Sequence, residues 1–302
     1  MVCLYYQEEM PLPSSNINFL TVDVEDWFHT TALEQYVGFN QWDHLKSRVE
    51  TNVHKMLEIL RVKQTRATFF VLGWVAERFP ALVKEISAHG HEVACHGYRH
   101  RLISDLSRPQ FKEYLERSKK ILEDLTGKSI LGYRATSFSI VKDTLWALDF
   151  IKESGFVYDS SIFPIRHDIY GIRDFPRFPF VHANGLIEIP PPTFHILGRN
   201  LPIAGGGYFR LYPYWLTKIG IISMNRAGFP ATIYLHPWEL DPDCPKIRQA
   251  DWRTRLRQYV NLGRTMTRLE KLLKDFSFAP IQEHLHSLPL IEAKLKVKNH
   301  HS

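Results

Sequence analysis

Short apolar runs alternate along the chain with longer amphipathic stretches. Residues 17–22 form the first apolar run and lead into a cluster of acids. Val49, Val53, Met56, Leu57 and Leu60 recur at helical spacing. Residues 67–72 are rich in β-formers, and 92–95 form a short third run, so both predict strands. A helix is predicted over 76–89, with Gly90 placed to end it. Another starts at Ser107 as N-cap and runs through Thr126 to Gly127. Strands at 130–133, 156–159 and 231–235 alternate with helices at 142–154, 213–227 and 252–275. Between 163 and 202 the chain is rich in Pro and Gly and predicts long loops, with one strand-like run at 186–189. The tail after Pro289 predicts a frayed end.

Parallel strands need crossover connections, so this alternation predicts an α/β fold built on a parallel sheet or barrel. In such folds ligands bind at the carboxyl ends of the strands. The chemistry should therefore lie just after the apolar runs.

Composition narrows the class. Of 302 residues, 44% are hydrophobic and 23% charged, too apolar for a disordered chain. No run approaches the roughly 20 apolar residues of a membrane-crossing helix. The first residues lack a basic and an apolar signal region, so the expected location is the cytoplasm, with peripheral membrane association as a variant. Net charge is +6, of which residues 251–302 carry +5. The rest is near neutral, which argues against a nucleic-acid surface. The basic end predicts a solvated helix and tail, or less simply a contact with an acidic surface. Cys3, Cys95 and Cys244 are odd in number and far apart, so they predict reduced thiols.

Reactive residues do fall at the strand ends. The first strand ends in Asp23-Val24-Glu25-Asp26-Trp27, acids that are costly to bury without a cation. A solvated acidic turn is the plain alternative. The third ends in His96-Gly97-Tyr98-Arg99-His100. Two His at i and i+4 can share one metal, and Gly97 lets the backbone bend at the strand exit. Later strands deliver Arg134, Asp159 and His236, the last followed by Pro237-Trp238-Glu239. Taken singly, these read as an ion pair, a cap and a buried imidazole. Jointly, five strand ends release titratable or cationic groups onto one face. A carboxylate with two His suits Zn²⁺ with an open coordination position. The Gly205-Gly206-Gly207-Tyr208 segment lacks the Lys-Ser/Thr ending of a phosphate loop, and predicts a close turn over the site mouth.

The runs TVDVEDW, HGYRH, GYRATSF, YDSSIFP and YLHPWE resemble, in order, the five motifs of NodB-type polysaccharide deacetylases, carbohydrate esterase family 4. With AGGGYFRLYPYW between the last two, the wording is most similar to the exosortase (PEP-CTERM)-associated exopolysaccharide deacetylases. The resemblance covers roughly residues 18–240. It implies a distorted (β/α) barrel over 17–245, including a loop-rich insertion at about 163–212. Residues 1–16 would then precede the barrel, and 246–302 would form a basic C-terminal helix and tail. It implies a divalent metal, Zn²⁺ above others, and hydrolysis of N-acetyl groups on a polysaccharide or oligosaccharide.

Residue by residue, the resemblance makes Asp23 the base, and His96 and His100 metal ligands. The family pattern has two adjacent acids where this chain has Asp23-Val24-Glu25-Asp26. Asp26 is the expected ligand for its shorter side chain, with Glu25 as the alternative, since strand alternation puts Asp23 and Glu25 on one side. Arg134, together with Asp159, would hold Asp23 ionised, although Ala135 stands where the family has proline. His236 would protonate the leaving amine. Tyr98 or Arg99 would offer a backbone N–H to the oxyanion. Trp27, Tyr133, Trp238 and Tyr98 are the candidate substrate contacts. The alternatives are a non-sugar amide or cyclic imide as substrate, or a non-catalytic carbohydrate-binding relative.

Overall fold

The computed structural model describes residues 17–203 and 205–292. The expectations for residues 1–16, for Cys3 and for the tail beyond 292 lie outside the described residues. The strands are β1 (Asn18–Val24), β2 (Thr68–Val71), β3 (Glu92–Cys95), β4 (Gly132–Tyr133), β5 (Tyr158–Asp159), β6 (Phe180–Val181), β7 (Ile187–Glu188), β8 (Thr193–Ile196), β9 (Arg199–Pro202), β10 (Thr232–Leu235) and β11 (Phe278–Ala279). The α-helices are α1 (Val49–Val62), α2 (Gly73–Arg78), α3 (Pro80–Ala88), α4 (Arg108–Thr126), α5 (Ala147–Glu153), α6 (Gly206–Leu211), α7 (Tyr214–Arg226), α8 (Trp252–Tyr259) and α9 (Leu262–Asp275).

The main sheet runs β10-β1-β2-β3-β4-β5-β7-β6, with β11 pairing the start of β1. Every pairing is parallel except β6 with β7. This curled, mostly parallel sheet with its helices is the distorted β/α barrel that the sequence predicts. All seven residues of β1 are buried, as befits a central parallel strand covered on both faces. Register then carries one line across the sheet. Leu235 pairs with Val22, Val71 with Val24 and Cys95, and Tyr133 with Cys95 and Asp159. The residues that follow these positions share one edge.

Local chemistry sets the helix ends. Ser107 accepts from the Gln110 N–H in a capping box, and Gly127 closes α4 at φ 65°. Where one helix was predicted over 76–89 there are two, because Pro80 cannot continue α2 and instead opens α3. The helix predicted over 252–275 is likewise split, at Asn261, whose φ of 53° breaks the helix between α8 and α9. The predicted helix over 142–154 is a 3-10 turn (Lys142–Thr144) followed by α5. The strand-like run at 186–189 is β7, and the loop-rich stretch holds more order than predicted in β6 and the β8–β9 hairpin. Part of the expected frayed end is tied down, since the Ile291 N–H donates to the Pro179 carbonyl.

Candidate metal and catalytic centre

The strand ends converge on a cleft of about 390 Å³ lined by Asp23, Glu25, His96, His100 and His236 among others. Glu25, His96 and His100 are buried, and one ligand atom of each lies within 4.8 Å of the other two. His96 donates its Nδ1–H to the Arg134 carbonyl at 2.9 Å, which leaves Nε2 as a lone-pair donor to the cluster. Glu25 Oε2 sits 2.7 Å from His100 Nε2, yet this buried oxygen has no hydrogen-bond partner. His100 holds its ring there from a left-handed backbone, φ 47°, a cost expected where the surroundings enforce a functional geometry. An anionic oxygen and two imidazoles gathered out of water, one oxygen unsatisfied, fit a Zn²⁺-type cation. Burial pushes the His96 imidazole down to about 4, so it is neutral and ligand-competent at physiological pH. Burial raises the Glu25 carboxyl, but the charges of His100 and His236 outweigh it and hold the group well below the carboxylate range.

Beside this cluster lies Asp23. Its Oδ1 accepts from Arg134 Nη1 at 2.7 Å. Arg134 is fully buried and spends four N–H donors here: besides Asp23 it donates to Thr21 Oγ1, to Ser160 Oγ and to the Ser160 carbonyl. Its guanidinium lies 4.1 Å over the Phe70 ring. Such a fork leaves Asp23 one fixed orientation and an ionised partner. Opposite, His236 Nε2 lies 3.2 Å from Glu25 Oε1 and 3.9 Å from Asp23 Oδ2. His236 Nδ1 donates to Glu239 Oε2 at 3.0 Å, and Glu239 Oε1 accepts from Arg210 Nε at 2.6 Å. Burial alone lowers the imidazole, but Glu25, Glu239 and Asp23 raise it to about 9. The site thus sets the Asp23 side chain and a protonated imidazole 3.9 Å apart beside the cluster.

Several predicted residues stand elsewhere. Asp26 does not reach the histidines. Its Oδ1 accepts from the Trp27 N–H, and its Oδ2 from Ser47 Oγ and the Arg48 N–H, so it anchors the entry to α1. Glu25, the longer acid, projects from the strand end on the same side as Asp23, and it is the carboxylate at the cluster. Asp159 does not brace Asp23 or Arg134. It bonds Ser161 Oγ, and burial beside Glu188 raises its carboxyl well above the usual range. Ser160, next in sequence, makes the Arg134 contact instead. Trp27 and Tyr133 are core side chains, and Tyr98 donates its hydroxyl to Glu77 away from the cleft. Trp238 alone of the four aromatic candidates lines the cleft, stacked on His236 with ring centroids 5.5 Å apart.

The Gly205–Gly207 segment does lie at the cleft, as the start of α6. Gly205 has φ +100° and would drive a Cβ to 2.1 Å from the Tyr234 ring, so only glycine lets the backbone pass there. Arg210 and the role of Glu239 were missed from sequence. The signal for Glu239 was its spacing three residues after His236, which also closes a capping box. Arg210 gave none, because a single Arg in a loop-rich stretch has no periodicity to betray burial.

Two family models match the chain. One, described as polysaccharide deacetylase, covers residues 36–152. The other, described as a domain of unknown function, DUF3473, covers residues 160–286. The chain is 32% identical over 126 residues to a peptidoglycan deacetylase of Helicobacter pylori, covering 41% of each protein. It is 31% identical over 96 residues to a peptidoglycan-N-acetylglucosamine deacetylase of Bacillus cereus, covering 32% of this chain and 35% of that one. The chain therefore matches less than half the length of these relatives. Among solved structures, a Mycobacterium smegmatis protein assigned as a polysaccharide deacetylase superposes with a TM-score of 0.61 at 19% identity, over 93% of this chain and 95% of that one. That likeness is one of fold.

Proposed function

We propose, from the chain's place in the NodB-type polysaccharide deacetylase family, which the match over residues 36–152 and the curated deacetylases support, that the protein is a metal-dependent hydrolase removing N-acetyl groups from a bacterial polysaccharide. An exopolysaccharide or its precursor, as in the exosortase-associated members, is the substrate class favoured by the AGGGYFRLYPYW segment. The observation that carries the reading is that Asp23 and His236, 3.9 Å apart, both stand beside the Glu25–His96–His100 cluster.

Glu25, His96 and His100 would hold a divalent cation, whose chemistry when bound is to polarise a carbonyl and lower the pKa of water. Asp23, oriented by the Arg134 guanidinium, takes the proton from attacking water. His236, protonated beside Glu239, donates to the departing amine, a poor leaving group without that proton. Trp238 stacks on the imidazole and, with Tyr170 and Tyr208, forms a wall of the cleft.

The test is acetate release from N-acetylglucosamine oligomers by zinc-loaded protein, with Asp23→Asn as the paired control. Asp23→Asn is expected to keep its metal and fold while turnover falls by about 10²-fold or more. No acetate from any acetylated glycan, or an Asp23→Asn protein of normal turnover, would overturn the reading.

A further inference from the structure

The mouth of the cleft carries an apolar rim that its chemistry does not explain. Ile169, Leu211 and Leu256 all line the cleft, yet are 38%, 51% and 49% exposed. Trp252 lies one turn before Leu256 on α8, on the same helix face, and is 68% exposed. Scattered exposed hydrophobics are ordinary, but three lining one cleft mouth with an exposed Trp one helical turn away are not.

The helix that bears this rim is held from below. Buried Gln258 donates to the Trp27 carbonyl, and Arg210 donates to the carbonyls of Arg257, Gln258 and Val260. Asp251 caps the other end, accepting from the Arg253 and Thr254 N–H groups. With both ends fixed, α8 presents Trp252 and Leu256 to the outside. Between them stand Arg253 and Arg255, and Arg257 follows. All three are exposed, and α8 contains no acid. The Arg253 guanidinium lies 5.3 Å from the Trp252 ring centroid.

We infer that this face rests on an anionic lipid surface, with α8 lying in the headgroup layer and the cleft opening towards it. Indole and leucine side chains interleaved with arginines suit a medium that is apolar below and anionic above. A second copy of the chain fits poorly, since an isologous contact through α8 would set arginine against arginine. The placement would restrict the enzyme to substrate presented at a membrane.

Co-sedimentation of the full chain with vesicles tests this, and reads binding rather than turnover, so it stands apart from the deacetylase reading. The protein should pellet with phosphatidylcholine–phosphatidylglycerol vesicles of about 3:1 composition and stay in solution with phosphatidylcholine alone. Trp252→Ser with Leu256→Ser, and separately Arg253→Gln with Arg255→Gln, should each weaken binding by about tenfold or more while thermal melts stay unchanged. Equal binding to both vesicle types, or wild-type binding by the Trp252/Leu256 variant, overturns the inference. So does dimerisation that this variant abolishes, or capture by polyglutamate as strong as by vesicles and indifferent to the same variant.

Discussion

Glu25 and Asp26 are neighbours with opposite assignments, and replacing each by its amide separates them. Suppose zinc is present at about 100 times its dissociation constant. It then stabilises the wild type by about 2.7 kcal/mol, because only the native chain gathers the ligands. At about 2–4 °C per kcal/mol, that raises Tm by about 5–10 °C. Glu25→Gln removes the only anionic ligand atom. An affinity loss of about 100-fold, at the upper end of what losing a mere supporting contact costs, is a conservative figure for a ligand itself. Zinc then sits near its dissociation constant and contributes about 0.4 kcal/mol, a shift under about 2 °C. Asp26→Asn should behave differently. Asp26 satisfies three donors, among them the Trp27 and Arg48 backbone N–H groups on different oxygens. An asparagine offers one oxygen and turns its amide nitrogen towards the others, leaving a buried N–H unmet at about 1–3 kcal/mol. Tm should drop by several degrees with and without zinc, while the zinc-dependent rise persists. Thermal melts of chelated and zinc-loaded protein, with metal content per chain, measure both effects. A Glu25→Gln protein that keeps the full zinc shift, beside an Asp26→Asn protein that loses it, would restore Asp26 as the ligand.

His236→Ala should cripple amide hydrolysis and spare much of the hydrolysis of an activated acetyl ester, whose leaving group needs no proton. Equal losses on both substrates, with metal content confirmed, would make the histidine structural. Away from the centre, burial pushes Glu188 up to about 8 beside Asp159, which burial also raises. A raised carboxyl contributes stability fully present below the unfolded value near 4.5 and lost as pH climbs through 8, by up to about 1.4 kcal/mol per unit for each proton. Glu188→Gln keeps an oxygen for the Ser161 and Ile162 N–H groups. Its urea midpoint should fall less than the wild type's between pH 5.5 and 8; parallel falls would rule out a buried proton on Glu188.

What the sequence could reveal follows from what is local. β3 matches its predicted range, and α4 its cap and stop, because an apolar run, a Ser N-cap and a terminal Gly act over a few residues. The breaks at Pro80 and Asn261 were also local, but helical periodicity across them was strong enough to hide them. The strand-end rule located Asp23, His96, His100, Arg134 and His236 on one edge, since a parallel register does that for any sequence. It could not say which of two adjacent acids turns inward. That depended on Ser47 and Arg48, some twenty residues on, offering Asp26 a better place. Nor could it separate Trp238 from Trp27 and Tyr133, because an aromatic side chain suits a core as well as a sugar face.

The centre is assembled from both matched segments. Residues 36–152 bring His96, His100 and Arg134, and the strand before them brings Asp23 and Glu25. The protonated imidazole comes from the second segment, and it is not held by its own strand alone. Glu239 fixes the Nδ1 side of His236, and Glu239 is in turn fixed by Arg210. A buried guanidinium is costly unless its donors are met. Those of Arg210 are met only once α8 has ended where it does, presenting the Arg257, Gln258 and Val260 carbonyls. Arg268 of α9 then donates to the Phe209, Arg210 and Tyr212 carbonyls, closing the end of α6 onto the same support. The charge on His236 therefore depends on α6, α8 and α9 being docked. The segment matched to a domain of unknown function is in this chain a wall of the cleft and the support of its protonated imidazole.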